Sequence, residues 1–233
     1  MGYKLPTIFT EDSERLYFKG IAPISPNLNP ETSIGGNFDM HYKTAFLNKI
    51  SFSINQMFFL TQLTDALVIR ENISQTGFYF ENADDHILSS GFETNLKLTY
   101  DDFKLFANYA FVNTQLLYDN INNQKPLTPK HNAGFVLIYE VEEKFSAGYE
   151  LYYTGSQHDE MYNSKPSYWT MGVMLMMHLE KLTLFVNFEN FTNVIQTDYE
   201  PLVLPPSNNP TFTNIWAPTD GFVFYGGIKF NIF

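Results

Sequence analysis

The chain has 233 residues and a formal net charge of -11, and its two arginines, Arg15 and Arg70, form no basic patch. That balance excludes a surface built to neutralise nucleic-acid phosphates, and the absence of cysteine excludes disulfides, zinc–thiolate sites and cysteine nucleophiles. Apolar residues make up 44% of the chain, yet the longest unbroken apolar runs, such as Val173 to Met177, are far short of the roughly 20 residues a membrane helix needs. Any crossing of a membrane must therefore use closed β-structure.

Residues 1–31, rich in Pro, Asn and charge, read as a long loop, and they contain no apolar stretch of the kind a secretory signal requires. Beyond them, apolar and polar residues alternate with a period of two, the mark of extended strands with two different faces. Gly36, Phe38, Met40 and Tyr42 form one face of the first strand and Asn37, Asp39, His41 and Lys43 the other. Strands are expected at 33–44, 50–63, 90–100, 103–116, 131–142, 145–155, 168–179, 182–191 and 222–233. Several reach ten or more residues, longer than the five or six usual in soluble sheets and about the length of a tilted membrane-spanning strand. The 17% aromatic content suits strands with aromatic girdles at the lipid boundaries, though an aromatic-rich soluble sandwich shares it.

The connectors sharpen the assignment. Phe46–Lys49, Tyr100–Asp102, Glu142–Lys144 and Glu180–Lys181 are short polar turns, whereas 64–89, 117–130, 156–167 and 192–221 are long. Ala66-Leu67-Val68-Ile69 and Gly77-Phe78-Tyr79-Phe80 read as a hairpin around a polar Asn72–Thr76 tip. Short turns on one side and long loops on the other are the organisation of an outer-membrane barrel, and they favour it over a soluble up-and-down barrel. If the C-terminus is periplasmic, every long connector and the 1–31 segment are extracellular, in phase across all nine strands. Nine is odd, while single-chain bacterial barrels have even counts. The expectation is therefore an all-β, transmembrane antiparallel β-barrel portion that is incomplete on its own, with two unpaired sheet edges.

Several motifs resemble those of TonB-dependent receptors. Gly2-Tyr3-Lys4-Leu5-Pro6-Thr7-Ile8-Phe9-Thr10-Glu11 is similar to a stretch in the second half of that family, and Asn27-Leu28-Asn29-Pro30-Glu31-Thr32-Ser33 to the lead into its following strand. Gly91-Phe92-Glu93 resembles a strand start. Tyr152-Tyr153-Thr154-Gly155-Ser156-Gln157, Phe188-Glu189-Asn190-Phe191-Thr192-Asn193, Trp216-Ala217-Pro218 with Gly221, and Gly226-Gly227-Ile228-Lys229-Phe230 resemble elements near the end of the barrel. Their order and spacing carry the resemblance, and the Asn/Gln/Tyr-rich style is that of a Bacteroidetes-type receptor. The resemblance implies a 22-stranded barrel of which this chain holds about the last nine strands, without the plug domain and the TonB box. It implies active uptake of a scarce nutrient, a siderophore, cobalamin or a glycan, by a parent protein of the cell outer membrane. The implied partners are the lipid bilayer, the barrel-assembly machinery and, only through the missing plug, the TonB complex; nucleic acid is not among them. A porin-like passive channel and a soluble β-sheet carbohydrate-binding domain are the alternatives.

The final strand departs from the family's usual ending. Phe233 shares its face with Asn231, Lys229 and Gly227, whereas Ile232, Phe230, Ile228 and Phe224 form the face assigned to lipid. Polar residues assigned to the barrel interior are Asn37, Asp39, His41, Lys43, Glu93, Asn95, Lys97, Glu150, Asn187 and Glu189, as a water-filled lumen requires. His86 and His158 lie in long connectors and His131 at the edge of one, His158 beside Asp159 and Glu160, but no spacing defines a metal-ligand set. Tyr79, Tyr118, His158, Tyr162 and Trp216 are the loop side chains expected to face a ligand, His158 by a metal or siderophore contact and the others by stacking on a chelate or sugar, with membership of the interfacial aromatic belt the competing role for the tyrosines and Trp216. The methionines at 171, 174, 176 and 177 occupy both faces of one strand and read as packing or lipid contacts. No catalytic motif and no cofactor site appears, and the chain does not read as an enzyme.

Overall fold

A computed structural model describes residues 1–10, 20–47, 49–72, 77–119 and 122–230. Its strands are, in chain order, β1 (Gly2–Lys4), β2 (Glu31–Phe46), β3 (Ile50–Thr64), β4 (Leu67–Asn72), β5 (Gly77–Asn82), β6 (His86–Tyr100), β7 (Phe103–Leu117), β8 (Asn123–Gln124), β9 (His131–Val141), β10 (Phe145–Thr154), β11 (Gln157–His158), β12 (Ser164–Lys165), β13 (Tyr168–Leu179), β14 (Leu182–Glu189), β15 (Val203–Leu204), β16 (Thr211–Phe212) and β17 (Val223–Phe230). The main sheet has the order β1-β2-β3-β6-β7-β9-β10-β13-β14-β17, with β8 paired beside β7. No helix among the described residues is long and apolar enough to cross a membrane.

All nine alternating stretches are strands of this sheet. The 1–31 segment is not wholly loop, however. Gly2, Tyr3 and Lys4 pair antiparallel with Ser33, Thr32 and Glu31, adding a tenth strand to the main path. Three residues are too few for alternation to register, and Pro6, two residues beyond Lys4, masks the signal. β6 begins at His86, earlier than the strand start suggested at Gly91. The expected hairpin forms as β4 paired with β5, from Leu67↔Asn82 to Asn72↔Gly77. Residues 73–76 of its tip, and the assignment of Phe233, Ile232 and Asn231 to faces, lie outside the described residues.

The chain divides into two compact units. One comprises Met1–Phe38, Phe59–Gly91 and Asn113–Thr128; the other comprises Asp39–Phe58, Phe92–Val112 and Pro129–Phe233. The first has a small core of Ala66, Ala83 and Tyr118, against which Leu63, Val68, Ile87 and Leu116 pack. Asn29 ties its first loop to the hairpin by receiving Asn82 Nδ2 at its carbonyl and donating its backbone N–H to Asn82 Oδ1 and its side chain to Asp65. Arg70 on β4 forks between Glu81 (2.6 Å) and Asp119 (2.6 Å). The Asp119 hydrogen bond, reinforced by Glu81, raises the guanidinium pKa above its ordinary value.

In the second unit the register fixes what each face carries. Antiparallel partners share a face, so one face runs from Leu105 and Leu137 through Leu151, Val173 and Val186 to Phe224 and Ile228. Apart from His131 at its edge, the paired positions of this face, from Phe103–Phe111 of β7 across to β17, are aliphatic, aromatic, Met, Ala and Gly residues. The opposite face carries Lys104, Asn108, Glu140, Glu150, Thr170, Asn187, Glu189 and Lys229, and it also holds Met174 and Met176. The methionines thus occupy both faces.

Rings collect on the apolar face near the long connectors. Tyr153 and Trp169 lie 4.6 Å apart, Phe111 and His131 5.3 Å, and Phe188 and Phe224 5.0 Å. At the other end Phe103 meets Tyr139 at 4.8 Å. Three of the short turns place Leu47, Asp101 and Glu143 at positive φ, between 45° and 59°. Tight hairpins need that left-handed backbone to match strand twist.

Candidate functional site

On the polar face, below the connector that follows β14, a cavity of about 290 Å³ is lined by Glu150, Tyr152, Thr170, Glu189, Asp220 and Val223, among others. Alternation alone puts these groups together: Glu150 and Tyr152 are consecutive polar-face positions of β10, and Glu189 pairs with Val223. Tyr152 donates to Glu150 Oε2 (3.2 Å), while Tyr225 and Asn187 donate to Glu189 Oε1 (2.8 and 2.9 Å). Gly172, opposite Glu150, leaves the room that the carboxylate occupies. Among the described residues no cation pairs with Glu150, Glu189 or Asp220. A second hollow of about 440 Å³ is lined in part by His41, Asn55, Asn95, Lys97, Phe106 and Asn108. There Asn55 donates to Asp39 (2.9 Å), and the Lys97 ammonium lies 5.2 Å from the Phe106 ring centre. The wall offers hydrogen-bonding carboxylates, amides and hydroxyls to a polar solute.

Above this wall, the connectors 155–167 and 190–222 meet around Trp216. Its backbone N–H donates to Gln196 Oε1 (2.8 Å) and its indole N–H to Glu200 Oε1 (2.5 Å). Gln196 is fully buried, and it also receives the Ala217 N–H and donates to the Asn214 carbonyl. Lys165 reaches Glu200 Oε2 (2.6 Å) and Asp159 Oδ2 (3.3 Å). Burial works against the Lys165 charge, but the hydrogen bonds to Glu200 and Asp159 outweigh it and raise the pKa. Asp159 is held below the usual carboxylate range, chiefly by the Asn163 side-chain amide with help from the Asn163 N–H and Lys165.

The five loop residues singled out from sequence fare differently. Trp216 is 6% exposed and Tyr118 9%, so both side chains are packed among their own connectors. The tryptophan on the apolar face is Trp169, which sequence reasoning passed over because its neighbours Tyr168 and Thr170 blur the alternation. His158 and Tyr162 form a stacked pair with centroids 4.9 Å apart, Tyr162 half exposed at φ 61°. Tyr79 lies on β5 opposite Arg70 and is partly exposed. The structure therefore brings together only His158 and Tyr162. Lys165, Gln196 and Glu200 were missed, because buried polar residues in an irregular connector carry no periodic signal; Gln157 belonged to a quoted motif without an assigned role.

A long-stranded antiparallel sheet with one continuous apolar face and one polar face defines a membrane β-barrel portion. The sequence matches, over residues 1–191, the family described as TonB dependent receptor-like, beta-barrel, and the chain belongs to that family. No curated protein matches it. Among solved structures it is similar to the siderophore receptor PirA from Acinetobacter baumannii (TM-score 0.63, 15% identity, 87% of this chain and 32% of that one). It is similar too to the FrpB iron transporter from Neisseria meningitidis, F5-1 variant (TM-score 0.63, 13% identity, 90% and 33%), and to the copper transporter OprC (TM-score 0.62, 14% identity, 88% and 32%). The chain spans about a third of the length of these structures.

Proposed function

We propose that this chain is part of the barrel of an outer-membrane transporter that imports a scarce nutrient with energy delivered through TonB. The observation that carries the reading is the register of the second unit, in which an apolar face for lipid backs onto a polar face for a solute path. In this reading the solute is captured by the outward connectors and a plug domain elsewhere in the full protein. TonB-driven rearrangement of the plug then opens the path along the polar face, past Glu150, Tyr152, Asn187 and Glu189. The residues of this chain bind and guide; none is asked to make or break a covalent bond. Related structures bear the names of siderophore, iron and copper proteins, which puts a metal or its chelate ahead of cobalamin and glycans as the cargo.

The test is uptake in cells with the gene deleted, using labelled ferric chelates, cobalamin and oligosaccharides, each with and without a functional TonB. The expected result is loss of one uptake on deletion, and equal loss when TonB is inactivated. Uptake that needs the gene but proceeds without TonB would identify a passive channel instead.

A further inference from the structure

Connectors 155–167 and 190–222 are joined to one another by an ion pair and side-chain hydrogen bonds. Lys165 of β12 carries a charge on a side chain only 11% exposed, and its closest partner, Glu200 at 2.6 Å, belongs to the other connector. Gln157 of β11 donates to the Trp216 carbonyl (3.1 Å), and Tyr168, the first residue of β13, donates to the same oxygen (3.2 Å). The Lys165 ammonium also lies 6.0 Å from the Trp216 ring centre.

Each connector is in turn braced internally. Asp159 accepts the backbone N–H groups of Met161 and Asn163 (both 2.9 Å) as well as the Asn163 side chain, closing the tip of the first. Gln196 spans the second, since its own N–H reaches the Pro218 carbonyl while its side chain holds Asn214, Trp216 and Ala217. Parting the two would expose the Trp216 indole and break charge-assisted hydrogen bonds, which are about twice as strong as neutral ones. A small cluster of this kind opens cooperatively or stays shut.

We propose that the two connectors form a single rigid leaf, clasped through Lys165, Gln157 and Trp216, so that any ligand-driven movement of one carries the other with it. The leaf presents the His158–Tyr162 stack on its outside and Trp216 at its centre. Recognition at the tip of one connector is thereby transmitted to the segment that roofs the Glu150–Glu189–Asp220 cavity. The proposal holds whatever the cargo, so its failure would leave the transport reading standing.

Hydrogen exchange of the complete membrane-embedded protein tests it. Lys165→Met removes the clasping charge and keeps the side-chain stem. Exchange in 157–165 and in 196–217 should accelerate together, about tenfold or more, with the amides of β9 unchanged. Acceleration confined to 157–165, or none in either segment, would overturn the proposal. Should Lys165→Met disturb β9 as well, Glu200→Gln decides by the same criterion, because it removes the charge while leaving an acceptor for the Trp216 indole. Joint acceleration supports the leaf, and acceleration in 196–217 alone overturns it.

Discussion

Replacing Val173 with lysine puts a charge on the face assigned to lipid, at the depth where it costs most. Val173 lies near the middle of β13 and pairs with Tyr149 and Phe188, both on the apolar face. A strand rises about 3.3 Å per residue and, tilted by roughly 40°, climbs about 2.5 Å per residue along the membrane normal. Five residues separate Val173 from Tyr168 and six from Leu179, so it sits roughly 12 to 15 Å from either strand end, at the centre of an apolar band about 25 Å tall. A lysine at that depth costs about 2–4 kcal/mol. Met174 is the control, because its partners Gly148 and Asn187 lie on the polar face at nearly the same depth, and Met174→Lys should cost about 1 kcal/mol or less. Urea unfolding of the complete protein in phospholipid vesicles measures both. The expected gap is at least about 1–2 kcal/mol, Val173→Lys being the more damaging. Equal losses, or a larger loss at Met174, would refute the assignment of faces.

Other consequences are more local. In a Trp169→Phe background, Trp216 is the remaining tryptophan, and its emission reports the clasp against pH. Asp159 has a lowered pKa, so its stabilisation is complete above the ordinary value of 3.8 and is lost as pH falls through the depressed one. Lys165 has a raised pKa, so its contribution is complete below the ordinary 10.5 and is lost only as pH climbs through the higher value. Emission should therefore be constant between about pH 5 and pH 9 and shift to the red at both extremes; a transition near pH 7 would contradict the assignment. Gly155→Val would bring a Cβ to 2.7 Å from the His131 carbonyl oxygen, against the backbone hydrogen bond that Gly155 donates there. A loss of about 2 kcal/mol or more in the same vesicle assay is expected, whereas a neutral result would show that the β9–β10 edge yields easily. Arg70→Lys keeps the charge but not the fork between Glu81 and Asp119. It should loosen the β4–β5 hairpin by on the order of 1 kcal/mol, seen as faster hydrogen exchange at Ala83 and Phe78; unchanged exchange would mean that the ion pairs add nothing.

Much of the sheet was legible because a two-faced strand cannot hide its period. Every second residue from Phe145 to Tyr153 is apolar and lies on one face, and β10 is where that pattern indicates. The phase of short turns against long connectors was equally plain, since Asp101 and Glu143 sit where tight turns need positive φ. Illegible were the elements held by pairing alone. β1, β11, β12, β15 and β16 have two or three residues each, and no period can be read from so few.

The resemblance pointed at residues whose roles only geometry discloses. Glu31 accepts the Leu67 N–H at 2.8 Å, and Asn29 braces the hairpin. Asn190 and Asn193 hold the carbonyls of Val194 and Asp220 and the N–H of Phe222 in the last connector. Trp216-Ala217-Pro218 wraps Gln196. These motif residues build the loops. The burial of Trp216 and Tyr118 was not legible, because an aromatic residue in a connector looks the same in sequence whether it is exposed or packed.

The sidedness of the sheet is the central claim, and the absence of cysteine makes it directly measurable. Single cysteines at Met161, an exposed residue of a long connector, and at Glu143, in a short turn, are exposed to a membrane-impermeant thiol reagent on intact cells. Met161→Cys should label at once, and Glu143→Cys only after the outer membrane is permeabilised. Equal labelling of the two on intact cells, or labelling of Glu143→Cys alone, would contradict the account.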